Sequence, residues 1–381
     1  MRLAFYAPLK PPDHPVPSGD RRMAQLLARA WEQAGHQVEL ASRLASRRAE
    51  GAAQQAVAEA AAAERARLLA LYAARPPAER PAAWFTYHLY YKAPDWLGPE
   101  IARALAIPYL VAEASVAGKR AGGAYALGHD ATSAALRAAA RVFVINPADR
   151  EGLEALVRLP HRLVDLPAFL DLAEFSRLAG PRAAERQAIA IRHGLDTAKP
   201  WLLTVAMMRP GDKLASYRIL GQALAGLLDL PWQLLLVGDG PARPEVAAAL
   251  APLGADRLRF LGRLDETEVA ACHAAADLCL WPAINEAYGM ALLEAQAAGL
   301  PVVAGAVGGV PSLVADGLTG LLTLPGDIGA FAAAARTLIE APARRAAMGT
   351  AARENVRRRH DIGSAAQILD RALADTCAEG A

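Results

Sequence analysis

Short apolar runs alternate along this chain with longer segments of helical periodicity, and this alternation constrains the fold more than any other feature. In the first half, the runs predict strands at 3–7, 38–41, 83–87, 108–112 and 141–145. In the second half, they predict strands at 201–206, 232–237, 258–261, 278–281, 301–304 and 320–323. Strands separated by helices are typical of βαβ units, in which the strands run parallel. We therefore expect an α/β protein with parallel sheets.

The length of 381 residues predicts two domains. The junction is expected between residues 160 and 175, where Pro160 and Pro167 interrupt the helical periodicity. We assign residues 1–170 to an N-terminal domain and residues 171–355 to a C-terminal domain. Residues 356–381 are predicted to form a C-terminal helix that packs back on the N-terminal domain. A stretch rich in Ala, Arg and Glu predicts a further long helix at 52–74.

The composition excludes several classes of protein. Forty-one basic and 39 acidic residues give a net charge of +2, which is not the electrostatic footprint of a nucleic-acid-binding protein. Cys272, Cys279 and Cys377 are interpreted as reduced thiols, because no cluster of His and Cys completes a zinc site. The first residues look like a strand rather than a signal peptide, and no apolar run is long enough to span a membrane. We expect a cytoplasmic protein, and peripheral contact with a membrane stays open.

Four turns that follow predicted strands in the second half carry residues of chemical interest. Ligands of open α/β sheets bind at the carboxyl ends of strands. The first turn contains Arg209, whose guanidinium suits phosphate oxygens, and Lys213, which adds a point charge. The alternative is a solvated turn with two ordinary surface cations.

Two of the other turns are rich in glycine, which lets a backbone pass close to a ligand. Gly238 lies in a Val-Gly-Asp-Gly-Pro run, and Gly308 and Gly309 lie in a Gly-Gly-Val-Pro run. A dinucleotide fingerprint would need a third glycine near Arg243, and its absence disfavours an NAD-dependent dehydrogenase. Tight turns without a ligand remain the alternative for both runs.

The remaining turn is the most informative. It carries Glu286 and leads into a helix that is expected to start near Tyr288 or Gly289, with Glu294 further along. Exposed amides at residues 288–290, up to Met290, would suit a diphosphate. If helical phase held between the glutamates, they would differ by about 80° and both could border one cleft. The alternative is a loop charge and an ordinary glutamate on a helix face.

The order of these turns resembles the retaining glycosyltransferase family 4, which has the GT-B fold. Glu286 and Glu294 match the paired glutamates of that family. The Gly-Leu-Pro-Val-Val-Ala, Gly-Gly-Val-Pro and Asp-Gly-Leu-Thr-Gly runs match its continuation. The resemblance is specific over about residues 200–325 and diffuse over the first 170 residues. It implies two Rossmann-like domains that face each other across a cleft.

The resemblance also implies roles for individual residues. Glu286 would position the sugar of a UDP or GDP sugar, Arg209 and Lys213 would meet its diphosphate, and Glu294 would hold the ribose. The sugar nucleotide is then a co-substrate, and no cofactor is expected. The resemblance places further residues at the donor site: Gly19, Gly238, Arg263, Leu264, Tyr288, Gly289 and Met290.

The chain departs from the family pattern at several positions. Arg209 and Lys213 are four residues apart rather than five, and Ser312 replaces a glutamate that often follows the glycine pair. After the strand at 108–112, many members have a histidine on the acceptor side, whereas this chain has Glu113. Glu113 and His88 are therefore our candidates for acceptor contacts. The alternatives are surface pairing of Glu113 with Lys119 or Arg120, and a His88 ring satisfied among packed aromatics.

The sequence contains no Asp-x-Asp motif of the kind that holds a divalent ion on a diphosphate. The absence of this motif predicts that no metal ion is needed, and the resemblance implies a retaining hexosyltransferase that uses a sugar nucleotide and an unidentified acceptor. Two alternatives stay open. One is another GT-B enzyme, such as a sugar-nucleotide epimerase or a phosphorylase, and the other is a nucleotide-binding module without catalysis.

Overall fold

The computed structural model describes residues 1–16, 18–116, 118, 121–178 and 180–379. The chain forms two compact units, each with its own hydrophobic core. The first unit contains Met1–Pro167 and Ile362–Ala381, and the second contains Ala168–Asp361.

The first unit is a parallel sheet of six strands flanked by helices. Its strands are β1 (Arg2–Tyr6), β2 (Gln37–Ser42), β3 (Ala83–Leu89), β4 (Tyr109–Ala114), β5 (Arg141–Val144) and β6 (Leu163–Asp165). Its first five helices are α1 (Gly19–Gln33), α2 (Gln54–Ala74), α3 (Gly98–Leu105), α4 (Ala126–Ala138) and α5 (Arg150–Val157). The strand order is β2-β1-β3-β4-β5-β6, and every strand pair is parallel. The order reverses between β1 and β3, which makes this pair the topological switch point of the sheet.

The apolar runs form strands in this unit because helices cover both faces of a parallel sheet. Strand β5 is buried along its whole length, and five successive residues of β3 from Ala83 onwards are buried. Helix α1 starts after Ser18, whose side chain accepts a hydrogen bond from the backbone N–H of Arg21. The helix then buries Leu27 and Trp31.

The last helix of the chain, Ile362–Glu379, belongs to the first unit and packs on α1. Two polar contacts fix it there. His36 Nε2 lies 3.0 Å from Asp370 Oδ1, and Arg141 donates to Glu379 Oε1 at 2.6 Å. The boundary that we expected between residues 355 and 356 falls inside the preceding helix, and the division comes between Asp361 and Ile362 instead.

The second unit repeats the architecture with a second six-stranded parallel sheet. Its strands are β7 (Trp201–Val205), β8 (Gln233–Val237), β9 (Leu258–Gly262), β10 (Leu278–Trp281), β11 (Val302–Gly305) and β12 (Gly320–Thr323). Its helices are α6 (Leu172–Leu178), α7 (Arg182–His193), α8 (Asp212–Ala225), α9 (Arg243–Leu250), α10 (Glu266–Ala275), α11 (Met290–Ala297), α12 (Val310–Leu313), α13 (Ile328–Glu340) and α14 (Pro342–Arg359). The C-terminal helix of the first unit is α15. The strand order is β12-β11-β10-β7-β8-β9, so the switch point lies between β7 and β10.

The predicted strands are confirmed, each to within two residues at either end. One strand, β6, was missed because it has only three residues and lies in the proline-containing segment that we interpreted as the junction. The long helix predicted at 52–74 is present as α2, which a short 3₁₀ turn precedes.

The three cysteines are free thiols, as we expected. Burial raises the pKa of both Cys272 and Cys279 to about 12, so both remain protonated and pack as small apolar side chains. Across the described residues, the structure contains no helix with the length and apolar character needed to cross a membrane.

Candidate functional site

The carboxyl edge of the second sheet collects the residues that the sequence analysis singled out in this half. The turn after β7 leads into α8 with Lys213, and the loop after β10 carries Glu286. These two strands flank the switch point, where the connections on either side diverge and leave a crevice. The chain topology therefore brings together two residues that are 73 positions apart in sequence.

Lys213 and Glu286 form an ion pair at this switch point. Lys213 Nζ lies 2.5 Å from Glu286 Oε2, and the indole N–H of Trp281 donates to the same oxygen at 3.0 Å. In the described part of the chain, Glu286 Oε1 accepts no hydrogen bond. Both side chains are largely buried, with exposed fractions of 28% for Lys213 and 18% for Glu286. The carboxylate is thus held by one oxygen, and the other remains available to a ligand.

Trp281 forms the apolar support of this pair. The Lys213 ammonium lies 5.1 Å from the centroid of the Trp281 ring, in the range of a cation–π contact. Tyr217 packs edge-on against the same ring at 5.3 Å, and its hydroxyl donates to the carbonyl of Ala206 at 2.8 Å. The indole is therefore fixed on two sides, which limits the positions open to Glu286.

The loop between β10 and α11 is anchored on helix α8. Asn285 donates through its side-chain amide to Asp212 at 2.8 Å, and the backbone N–H of Ile284 donates to Ser216 Oγ at 3.1 Å. Ala283 and Asn285 both have positive φ, at 53° and 60°. Positive φ is costly for a residue with a Cβ, so the loop keeps this shape only because its surroundings hold it.

The glycine pair after β11, Gly308 and Gly309, packs against the backbone of the Glu286 loop. Gly308 has a φ of 55°, and a Cβ at this position would collide with the backbone oxygen of Glu286. The N–H of Gly309 donates to the carbonyl of Ala287 at 2.8 Å. These glycines let one backbone pack directly on another, which is a structural reason for their presence.

Gly238 has the same kind of role in the turn after β8. Its φ is 130°, and a Cβ would collide with the carbonyl oxygen of Ala206, at the end of β7. Its N–H donates to the carbonyl of Gly262 at 2.8 Å. Gly238 thus joins the ends of three neighbouring strands at the carboxyl edge.

Glu294 lies on α11 and Glu286 lies in the loop before it, so the condition of helical phase between them does not hold. The helix begins at Met290, and Gly289, with a φ of 82°, occupies the N-cap position. The Glu294 side chain is 29% exposed, and its Oε2 lies 3.7 Å from Nε2 of the buried His273 on α10. The two carboxylates therefore approach the edge from different elements, the loop and the helix.

The other predicted donor residues lie at strand or helix ends. Arg209 is exposed, and its guanidinium forms no ion pair or hydrogen bond with the described residues. Arg263 is exposed in the turn after β9, Leu264 beside it is half-buried, and Tyr288 is half-buried in the loop before α11. Gly19 is the first residue of α1 in the other unit, and a Cβ there would contact nothing within 4 Å.

A second group of titratable side chains lies at the carboxyl edge of the first sheet. His88, in β3, places Nδ1 at 3.3 Å from Asp20 Oδ1 and at 3.4 Å from Glu113 Oε1 in the neighbouring strand β4. His88 and Glu113 both have positive φ, at 64° and 56°. Asp149, which follows β5, is coupled electrostatically to both of them. We call Asp20, His88, Glu113 and Asp149 the His88 cluster.

The charges in the His88 cluster perturb one another. Burial opposes protonation of His88, but the carboxylates of Glu113 and Asp20 outweigh it and raise the His88 pKa. The imidazole of His88, 3.3 Å from the Asp20 carboxylate, lowers the pKa of Asp20. Burial, followed by the charge of Glu113, raises the pKa of Asp149 to about 6. Perturbed groups that gather at a sheet edge are typical of functional sites.

Aromatic packing was the alternative considered for His88, and surface pairing was the alternative considered for Glu113. The His88 ring does contact aromatic rings, since its centroid lies 5.7 Å from that of Tyr87 and 5.4 Å from that of Tyr90. Its polar neighbours are nevertheless carboxylates, so aromatic packing alone does not account for it. Lys119 and Arg120, the surface partners considered for Glu113, lie outside the described residues.

Comparison with known proteins places the second unit in a family. The family described as Glycosyl transferases group 1 matches residues 199–341, which include both the Lys213 turn and the Glu286 loop. D-inositol 3-phosphate glycosyltransferase 2 of Catenulispora acidiphila is 34% identical over 275 residues, which are 66% of this chain and 62% of that protein. D-inositol 3-phosphate glycosyltransferase of Mycobacterium sp. (strain KMS) is 37% identical over 243 residues, or 58% of this chain and 53% of the relative.

The comparisons support a glycosyltransferase family 4-like protein. The chain matches only about half to three fifths of the length of these curated relatives. Solved structures resemble the family 4-like protein over its whole length. Sucrose-phosphate synthase from Thermosynechococcus elongatus gives a TM-score of 0.74 at 22% identity, covering 100% of both chains. Anabaena HepE in complex with UDP gives 0.73 at 18% identity, covering 98% of this chain and 100% of that one. These likenesses show the fold, which is GT-B with two Rossmann-like domains.

Sequence reasoning missed several neighbours of the candidate residues in this family 4-like protein. Trp281 was visible only as the last residue of a strand, and its bond to Glu286 has no signature in the sequence. Asp20 and Asp149 belong to the His88 cluster, but each is a single carboxylate near a helix start, which is a common position. His273 gave no signal, because a lone histidine in an apolar helix usually belongs to the core.

Proposed function

We propose that this protein transfers a hexose from a UDP or GDP sugar to an acceptor hydroxyl, with retention of anomeric configuration and without a divalent metal ion. The observation that carries the proposal is the placement of Lys213, Trp281 and Glu286 at the switch point of the second sheet. This placement lies within the segment that matches the group 1 glycosyl transferases.

The charges near the switch point suit a diphosphate leaving group. Arg209 is exposed and uncommitted, and Lys213 has only Glu286 as its ion-pair partner among the described residues. The first amides of α11, at Met290 and Ala291, start a helix of eight residues whose N-terminus favours an anion. Together these groups would stabilise the negative charge that develops on the departing diphosphate.

The two glutamates would divide the recognition of the donor. Glu286 keeps Oε1 free of described partners, and that oxygen is proposed to accept hydrogen bonds from the hydroxyls of the sugar. The partly exposed Glu294 is proposed to accept hydrogen bonds from the ribose hydroxyls. Neither residue acts as a nucleophile, and the departing diphosphate helps to remove the proton of the acceptor hydroxyl on the same face of the sugar.

The His88 cluster supports a proposal about the acceptor. Asp20, Glu113 and Asp149 give this edge of the first unit an excess of carboxylates around one histidine. Ionised carboxylates accept hydrogen bonds from hydroxyls or amines and repel phosphates. We propose that the acceptor presents hydroxyls or an amine here, unlike the phosphorylated compound in the names of the curated relatives.

The proposal is tested by measuring the release of nucleoside diphosphate from a panel of UDP-hexoses and GDP-hexoses, with candidate acceptors added. Arg209→Ala and Lys213→Ala should each lose about tenfold to a hundredfold in kcat/KM, because a charge-assisted hydrogen bond contributes about 1.5–3 kcal/mol. Arg218→Ala removes an exposed arginine further along α8 and serves as the matched control. Activity should survive EDTA, and NMR of the product should show the anomeric configuration of the donor.

Wild-type donor kinetics in both turn variants would contradict the proposed diphosphate site. Loss of activity in EDTA with recovery on addition of magnesium or manganese would contradict metal independence. Conversion of the donor to an epimer without any acceptor would identify an epimerase, and donor binding without any turnover would identify a binding module.

A further inference from the structure

His273 is an unsatisfied polar side chain in the core of the second unit. It lies in the last turn of α10 and is completely buried, with 0% of its surface exposed. Neither Nδ1 nor Nε2 has a hydrogen-bond partner within the described chain. A buried polar group without a partner costs about 1–3 kcal/mol, so a side chain left in this state calls for an explanation.

The polar group that His273 faces is the carboxylate of Glu294. His273 Nε2 lies 3.7 Å from Glu294 Oε2, which is too long for a hydrogen bond but short enough for a small side-chain rotation to form one. No described residue donates a hydrogen bond to Glu294. Its side chain is 29% exposed, so the carboxylate connects the buried imidazole to the surface of the site. His273 is therefore placed to fix the orientation of Glu294.

We infer that His273 is a positioning residue that orients Glu294 for the ribose of the bound nucleotide. The inference rests on the proposed function, which gives Glu294 its role with the ribose. When the nucleotide binds, the N–H at Nε2 donates to Glu294 Oε2, and this hydrogen bond fixes the carboxylate against the two ribose hydroxyls. The imidazole thereby gains its missing partner. The new hydrogen bond offsets part of the entropy that is lost when the carboxylate is fixed against the ribose.

A purely structural role for His273 makes a different prediction. A buried histidine also fills volume in the core. In that case its replacement would change stability and would weaken all nucleotides equally. A positioning role instead affects only the part of the affinity that depends on the ribose hydroxyls.

The test is calorimetric titration with UDP, GDP and their 2′-deoxy forms. The wild-type protein should prefer the ribose form of the nucleotide that it binds by about tenfold, the worth of one charge-assisted hydrogen bond. His273→Phe should lose most of this preference, and its affinity for the deoxy form should stay within about twofold of the wild-type value. His273→Gln, whose amide N–H can reach the position of Nε2, should restore most of the preference.

Two further variants make the result decisive. His360→Phe replaces the other fully buried histidine of the second unit, which binds the carbonyl of Ala168, and it should keep the wild-type preference. His273→Asn keeps a polar side chain but moves its N–H away from Glu294, so it should also lose the preference for the ribose form. This variant provides the test if His273→Phe does not fold.

The inference is overturned if His273→Phe or His273→Asn keeps the wild-type preference for the ribose form, whether the two affinities are unchanged or are weakened equally. Glu294→Gln separates this failure from that of the proposed function. If Glu294→Gln loses the preference while the His273 variants keep it, only the positioning role is wrong. If Glu294→Gln also keeps it, the ribose role of Glu294 is wrong, and the inference fails with it.

Discussion

At the scale of residues, the ion pair of Lys213 and Glu286 has a consequence for donor binding. The ammonium is already neutralised by a carboxylate at 2.5 Å, with Trp281 beneath it. A diphosphate that binds near Lys213 must therefore compete with Glu286 for the ammonium. Arg209 has no such competitor among the described residues, so we expect it to make the first contact with the phosphates.

Glu113 gives a prediction about the acceptor. Glu113→Ala should lower kcat/KM for the acceptor by about tenfold, because it removes a carboxylate proposed to accept hydrogen bonds from the acceptor. The calorimetric affinity for the nucleotide should stay at the wild-type value. Glu113→Gln keeps the size of the side chain and tests whether its charge is needed. Unchanged acceptor kinetics in both variants would move acceptor recognition to other residues, with His88 and residues 11–20 as the next candidates.

Asp149 gives a prediction about stability and pH. Its pKa is about 6 in the folded protein, above the ordinary value of 3.8, because burial and the charge of Glu113 disfavour the ionised form. The folded state then binds more protons than the unfolded state between these two values, so stability falls as the pH rises through about 6. Asp149→Asn cannot ionise and should escape this loss.

The measurement is urea unfolding of wild type and Asp149→Asn at pH 4.5 and pH 7.5. Relative to wild type, the variant should gain on the order of 1 kcal/mol in free energy of unfolding at the higher pH, after allowance for partial exposure. A difference between the two proteins that is the same at both pH values would show that the Asp149 pKa is not raised.

Residue types were easier to predict than residue contacts. Arg209, Lys213, Glu286 and Glu294 were chosen from the sequence because their chemistry and spacing fit a sugar nucleotide. The sequence could not show that Lys213 and Glu286 pair with each other, because that contact depends on the adjacency of β7 and β10. It also could not show that His273 lies beside Glu294, since both residues lie on helices with no visible pairing signal.

At the scale of elements, the glycine pair after β11 predicts a sharp effect of substitution. Gly308→Ala puts a Cβ against the backbone oxygen of Glu286 at a positive φ of 55°. Gly317→Ala is a matched control, because its φ of 74° imposes a similar conformational cost while the added Cβ meets nothing within 4 Å. Only the first variant should displace the Glu286 loop.

Both variants should lose about 1–2 kcal/mol of stability from the left-handed backbone, measured by urea unfolding. Gly308→Ala should lose more than that and should also weaken the binding of sugar nucleotides by at least tenfold in calorimetry. Equal behaviour of the two variants would show that the contact between Gly308 and Glu286 does not hold the loop.

Apolar runs predicted the strands because a parallel sheet covered on both faces needs continuous apolar sequence. Strand β6 was not predicted, because its three residues are too few to form a recognisable apolar run. The start of α11 was placed one or two residues too early, because Gly289 has a left-handed φ of 82° and the helix begins only after it.

At the scale of the whole molecule, the two units share one principle. Each is a parallel six-stranded sheet, and in each a pair of titratable side chains meets where the strand order reverses. Asp20, which follows β1, approaches His88 in β3, and Lys213, which follows β7, approaches Glu286, which follows β10. The architecture followed from the alternation of strands and helices. The return of α15 to the first unit depends on contacts such as that of His36 with Asp370, which no local pattern reveals.

We propose above all that the carboxyl edge of the second sheet binds a sugar nucleotide, with Glu294 at the ribose and Glu286 at the sugar. The most direct test is calorimetric titration of wild type, Glu286→Gln and Glu294→Gln with UDP, GDP and the corresponding hexose nucleotides. Glu294→Gln should weaken the free nucleotide and the sugar nucleotide by about tenfold each, because both contain the ribose. Glu286→Gln should bind the free nucleotide at least as tightly as the wild type, because it removes the competitor for Lys213, and it should lose the additional affinity that the sugar provides. Equal weakening of the free nucleotide by both variants, or the absence of nucleotide binding in the wild type, would contradict the claim.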